Sequence, residues 1–189
     1  MTGNTSRPSG DDQKIGLSAP SDQPSGSEAL PSCGDFDIRI ARDGTWFHQG
    51  SPIVRKPLVR LFASVLRREA DGAFWLVTPV ERGRVIVDDA PFVAVELAAR
   101  GSGSSQTLRF RTNIDDWVEA DAAHPIRVAH APDSGEPSPY ILIRDGLEAL
   151  IARSAYYHLV ELAVEREQGG ETVLGVWSKE TFFPLGRSE

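Results

Sequence analysis

A chain of 189 residues, 40% hydrophobic and 25% charged, has an ordinary soluble balance and enough length for one or two small domains. Its net charge of −7 argues against a duplex nucleic-acid binder, which needs a basic face to neutralise phosphates, but is compatible with one nucleotide held by a few arginines. The single cysteine, Cys33, excludes an intrachain disulfide; no apolar run approaches the roughly 20 residues that span a bilayer, and no signal-peptide pattern opens the chain, so the expected location is the cytoplasm.

Residues 1–34 are rich in Ser, Gly and Pro and hold no aromatic residue, which predicts a disordered tail. Cys33 ends it, with no basic neighbour to lower its thiol pKa, and reads as incidental. Order is expected from about Phe36. The segment "DIRIARDGTWFHQG" offers strands at 36–41 and 45–48 around an Asp43-Gly44 turn.

The next stretch, "RKPLVRLFASVLRREADG" (55–72), predicts one amphipathic helix. Leu58, Leu61, Phe62, Val65 and Leu66 form its apolar stripe, Pro57 suits its first turn, and Gly72 suits the position after its last. Strand-like runs follow at 73–79, 84–89, 92–100 and 106–113. A "GSGSS" hairpin loop separates the last two, a strand is expected at 125–130, and a Pro/Gly/Ser connector at 132–139.

A second helix is predicted within "YILIRDGLEALIARSAYYHLVELAVEREQGG". Its stripe, Tyr156, Leu159, Val160, Ala163 and Val164, lies 98 positions after that of the first. The same offset pairs Arg55 with Arg153 and Gly72 with Gly170. A Trp-bearing strand follows each helix, in "FWLVTP" and "LGVWSK". The pattern predicts an internal duplication of a strand–helix–strand unit, hence two half-domains facing each other.

The motifs "DGTWFHQGSPIVR", "LFASVL", "DGAFWLVTPVE", "VDDAPF", "HPIRV", "IRDGLEALIARSAYYHLVE" and "LGVWSKETFFPLG" together resemble a bacterial family catalogued as domain of unknown function 1285, over about residues 36–186. The resemblance implies an α+β core of two subdomains, the second superficially like a pleckstrin-homology fold. It also implies a small, nucleotide-derived ligand at the subdomain interface and a role in signalling or stress response.

Catalytic signatures are missing from the sequence. There is no nucleophile elbow, no P-loop and no Rossmann fingerprint, and "GSGSS" lacks strand-to-helix context. His48, His124, His130 and His158 do not form a zinc pattern. The pairs Asp88-Asp89 and Asp115-Asp116 read as solvated turns. No cofactor is expected.

The arginines carry more. Arg55 and Arg153 stand at the starts of the two predicted helices, where orphan N–H groups already favour anions. They could instead pair with local acids such as Glu81 or Glu148 and staple their own halves. Thr78 and Glu81 end the strand after the first helix, and Trp177 and Ser178 hold the comparable place in the second copy. These four read either as a polar and aromatic ligand rim or as core and strand-end punctuation. Arg144 and Tyr157 complete the candidate set.

The expected fold is α+β, a duplication in two subdomains, 35–100 and 101–189, packed as one compact unit. The leading functional expectation is a non-enzymatic module binding a small anionic ligand, such as a nucleotide, between the halves. The alternatives are a metal-dependent hydrolase or transferase using Glu81 or an acidic turn, and a protein–protein adaptor. Neither a membrane nor non-specific nucleic acid is expected as a partner.

Overall fold

The computed structural model describes residues 32–187; all but the last three residues of the tail expected over 1–34 lie outside the described residues, as does the Cys33 side chain. The last residues of that expected tail lie in a strand: β1 (Ser32–Ile40) pairs Ser32 with Arg82.

The described residues form fifteen strands and two α-helices, so the fold is mostly β rather than α+β. The two predicted long helices account for the difference. The first is a helix, α1 (Lys56–Val65), followed at once by a hairpin of β4 (Leu66–Arg68) and β5 (Phe74–Val77). Gly72, at φ +85°, serves the hairpin turn and not a helix end; Asp71 helps by accepting from the Ala73 N–H at 2.9 Å. The second repeats this: α2 (Arg153–Glu161) leads into β13 (Val164–Gln168) and β14 (Glu171–Ser178), joined through Gly169 and Gly170. Val164, read as helical core, therefore starts an exposed strand.

The chain is a series of antiparallel three-stranded meanders. The first is β1, β2 (Trp46–His48) and β3 (Ser51–Pro52); the second is β4, β5 and β6 (Arg82–Val87). Then come β7 (Phe92–Arg100), β8 (Thr107–Thr112) and β9 (Trp117–Glu119), followed by β10 (Ile126–His130), β11 (Pro137–Arg144) and β12 (Leu147–Ile151). Strands β13, β14 and β15 (Thr181–Arg187) close the chain. Pro137, placed in the connector by sequence, begins β11.

Two six-stranded sheets share one topology. The first has the order β3-β2-β1-β6-β5-β4 with β1 and β6 parallel; the second has β9-β8-β7-β12-β11-β10 with β7 and β12 parallel. The chain passes between them at residues 88–91, and β7 pairs only within the second sheet. Each helix stands between two meanders. Strand β15 runs beside β10, but no ladder joins them, unlike their counterparts β6 and β1.

The helix faces differ in register from the sequence expectation. α1 buries Val59 and Ala63, with Leu66 just beyond, and leaves Leu61 59% exposed; α2 buries Ala155 and Leu159, with Leu162 half-buried. These positions correspond at an offset of 96, not 98. Arg55 precedes α1 as its N-cap residue, whereas Arg153 is the first residue of α2, so the two are not equivalent.

One continuous apolar core runs from Ile38 in β1 to Leu185 in β15 and serves both lobes. Polar ties reinforce the junction. Arg144 donates to the Ala63 carbonyl at 2.6 Å, in the last turn of α1, where the same oxygen also accepts from the Leu66 N–H. Asn113 accepts from the Val93 N–H and donates to the Gly44 carbonyl, each at 3.1 Å. Asp115 gathers Lys56 at 3.0 Å, Arg60 at 2.7 Å and Arg111 at 3.0 Å, and Arg60 also donates to the Ile114 carbonyl at 2.7 Å. Among the described residues no helix is long and apolar enough to cross a membrane.

Candidate functional site

Between the lobes lies a cleft of about 600 Å³. Arg42, from the β1–β2 turn, enters from the first lobe. The second lobe contributes the loop and strand at Glu136–Pro139, the end of β12 at Leu150 and Ile151, and the start of α2 with Arg153, Tyr156 and Tyr157. The α2 N-terminus opens here because Ala152, at the N-cap, has no side chain to accept from the first-turn N–H groups. Those orphan donors and the positive end of the helix dipole favour an anion.

Arg42 and Arg153 add two guanidinium groups, both with partners in the present state. Arg42 pairs with Asp89 at 3.2 Å and donates to the Ser138 hydroxyl at 3.2 Å. Arg153 pairs with Glu136 at 3.1 Å, both side chains being largely exposed. An exposed pair of this kind contributes little, about 0–1 kcal/mol, and yields readily to a better acceptor. Tyr140 donates its hydroxyl to Asp89 at 2.8 Å; burial first, then this carboxylate, raises the phenol above its ordinary pKa and keeps it a donor.

The residues singled out in the sequence do not share one site. Arg153 and Tyr157 line the cleft. Thr78 and Glu81 instead line a second cavity, inside the first lobe beside α1. The Thr78 hydroxyl accepts from the Glu81 N–H at 3.1 Å and donates to the Glu81 carbonyl at 2.9 Å, which closes the β5–β6 turn.

Arg144 is engaged by α1 and lies 5.4 Å from the Phe92 ring centroid. Ser178 is fully buried; it accepts from the Leu108 N–H at 3.0 Å and donates to the Ala120 carbonyl at 2.6 Å, so it ties the last meander to the second sheet and is closed to a ligand. Trp177 packs edge-on to Phe182 with Arg166 over its ring, away from the cleft. Arg55 is exposed and lines neither cavity.

Sequence reasoning missed Arg42 and Tyr156. Arg42 carried no signal beyond its place before the Asp43-Gly44 turn, and Tyr156 was absorbed into the predicted core stripe. Among the described residues no group of three or more His, Cys, Asp or Glu side chains could hold a metal ion.

Two family models match the chain: "Domain of unknown function (DUF1285), N-terminal domain" over residues 29–90 and "Protein of unknown function (DUF1285), C-terminal domain" over residues 91–185. Their junction falls where the first sheet ends and the second begins. No curated protein matches. Among solved structures, a DUF1285 family protein from Silicibacter pomeroyi DSS-3 is 50% identical with a TM-score of 0.77, covering 84% of each chain. A DUF1285 family protein from Shewanella baltica OS155 is 30% identical with a TM-score of 0.52, covering 66% of this chain and 90% of the other. With both family models matched in order and a relative of this identity along most of its length, the chain belongs to the DUF1285 family.

Proposed function

We propose that this protein binds a small anionic ligand, most simply a nucleotide or related phosphate ester, in the cleft between its lobes, and that occupancy couples the lobes in a signalling or stress-response role. One observation carries the reading: an α2 N-terminus without a side-chain cap opens into a 600 Å³ cleft that also presents Arg42 from one lobe and Arg153 from the other. Guanidinium forks match phosphate oxygens bidentately, and the tyrosines offer a face for a base or other flat group. Glu136 must release Arg153 for the anion to enter, so binding is an exchange of carboxylate for phosphate. The likeness of the second lobe to a pleckstrin-homology fold belongs to this proposal, and a sheet of two meanders followed by one packed helix supports it.

The test is thermal shift and isothermal titration with inorganic phosphate, AMP, ADP and GDP. A binder at a hundredfold its Kd stabilises by about 2.7 kcal/mol. Binding should weaken with salt, fall at least tenfold in Arg153→Lys and fall further in Arg42→Ala. A full panel without a shift, or a shift insensitive to both variants, refutes the reading. The adaptor alternative has one observation in its favour: Tyr157, Val160 and Val164 leave an exposed apolar line where α2 runs into β13. The enzyme alternative, if it used Glu81, would work in the first-lobe cavity that Glu81 lines and not in the cleft.

A further inference from the structure

Helix α1 and its flanks are basic in an acidic molecule. Residues 53–68 hold Arg55, Lys56, Arg60, Arg67 and Arg68 and no acid, in a chain of net charge −7. Asp115 takes up Lys56 and Arg60, and Arg68 donates to the Gly146 carbonyl. Arg55 stands before the first turn. Arg67 stands after the last and donates to the Ser64 and Leu66 carbonyls. Among the described residues neither has a carboxylate partner. Two uncompensated guanidinium groups thus bracket the helix.

Between them α1 carries more apolar surface than the core covers. Val59 and Ala63 face the core, while Leu58, Phe62 and Val65 are half-buried and line a cavity of about 450 Å³ against the first sheet. Leu61 lies three residues from Leu58 and four from Val65, so it extends that stripe outward, where it is 59% exposed. Val54 follows the lining residue Ile53, and Val80 sits in the turn between the lining residues Thr78 and Glu81; both are exposed. The cavity mouth is therefore edged with aliphatic side chains, the mark of a contact surface. Its walls are fixed. Trp46 stacks on Phe62, ring centroids 6.3 Å apart, and Phe36 lies over Gly83, where an added Cβ would stand 2.3 Å from its ring.

We propose that α1 and this cavity form a docking groove, independent of the cleft, for an acidic amphipathic helix of a partner protein. The stripe from Leu58 to Val65 runs about 10 Å, two helical turns. That is the span over which side chains at i, i+3, i+4 and i+7 of a docked helix insert as anchors. The surface is hollow, so such side chains fill it, whereas a flat bilayer surface would leave it empty. Burial of the stripe supplies the driving force. Arg55 and Arg67, at the two ends, favour carboxylates on the flanks of the docked helix, since a guanidinium fork matches a carboxylate. Glu81, on the sheet side of the cavity, is already engaged and has no part in the recognition.

The experiment is fluorescence anisotropy on the full chain with a fluorescein-labelled helical peptide about 14 residues long, bearing Leu and Phe at i, i+3, i+4 and i+7 and glutamate elsewhere. A twin with lysine for every glutamate is the charge control. The acidic peptide should bind one per chain and the lysine twin at least tenfold less well. Binding should weaken as salt rises. Leu61→Asp, at an exposed position that tolerates it, should cost at least tenfold. The double variant Arg55→Glu with Arg67→Glu should cost as much and narrow the gap between the two peptides. Arg153→Ala, in the cleft, should change nothing. The protein alone should sediment as a monomer and should not float with phosphatidylglycerol vesicles. Absence of acidic-peptide binding, equal binding of the lysine twin, or indifference to Leu61→Asp would overturn the proposal. So would a dimer or vesicle flotation that Leu61→Asp abolishes, which would give the groove to a second copy or to a membrane.

Discussion

Replacing Leu159 by alanine tests the central packing of the second lobe. Leu159 is fully buried on α2, which packs against β7 and β14. Removing three carbon groups at about 0.8 kcal/mol each loses roughly 2.4 kcal/mol of transfer free energy. If the site does not collapse, a residual void of up to about 80 Å³ at about 24 cal/mol per Å³ adds up to roughly 2 kcal/mol. The expected cost is about 3–4.5 kcal/mol. At about 2–4 °C per kcal/mol for a domain of this size, the melting temperature should fall by roughly 6–18 °C. The control is Leu61→Ala on α1, where the side chain is 59% exposed; it should cost no more than about 0.5 kcal/mol. Urea titration and calorimetry on both variants give the comparison, and one transition is expected because one core serves both lobes. A Leu159→Ala melting point within 3 °C of wild type, or a Leu61→Ala loss of similar size, would refute the assigned helix faces.

Three further outcomes are expected. Ser178→Ala should cost about 2–4 kcal/mol by urea denaturation, because the Leu108 N–H and Ala120 carbonyl both lose a buried partner. Gly44→Ala should destabilise by more than about 1 kcal/mol, since Gly44 sits at φ +83° and its new Cβ would lie 2.5 Å from Asn113 Nδ2. The Asp115 carboxyl is held below its ordinary value of 3.8 by its hydrogen bond from Lys56, with Arg111 and Arg60 assisting against desolvation. A depressed carboxyl pKa gives stability that is complete above that ordinary value and is lost as pH falls through the lower folded one. Asp115→Asn should therefore melt below wild type at pH 7, with the gap closing below about pH 4; asparagine tolerates the φ of +65° there, and a gap unchanged down to pH 2.5 would exclude the mechanism.

Much of the strand order was legible, because alternating runs such as "RVIVDD" and "TLRFRT" sit between clear turn residues. The helix register was not. In "LVRLFASVL" the apolar stripe runs through Leu58, Leu61 and Val65, and packing chose Val59 and Ala63, small enough to bring the helix close to its sheet, over Leu61. Helix length failed because Asp-Gly and Gly-Gly mark hairpin turns as well as helix ends, and the intervening "LRREA" and "VEREQ" carry no strong strand signal. Ser178 read either as a rim residue or as strand-end punctuation, and only the fold sets Leu108 and Ala120 on either side of it. The cleft was half legible: helix starts announce anion sites, but which turn crosses to face them is a tertiary fact, so Arg42 stayed hidden.

The missing ladder between β10 and β15 bears on how the molecule comes apart. In the first lobe, β1 zipped to β6 makes two meanders one hydrogen-bonded body. The last meander has no such seam. It is pinned at its β14–β15 turn, where Lys179 and Glu180 donate to the Gln106 and Ser104 carbonyls and Ser178 anchors inward. Its opposite end, the β13–β14 turn, follows a strand whose five residues are all exposed. Mechanically it is a flap riveted along one margin. Its amide protons should trade with deuterium sooner than those of the first sheet, and partial unfolding should peel this flap while the rest of the molecule keeps its protection.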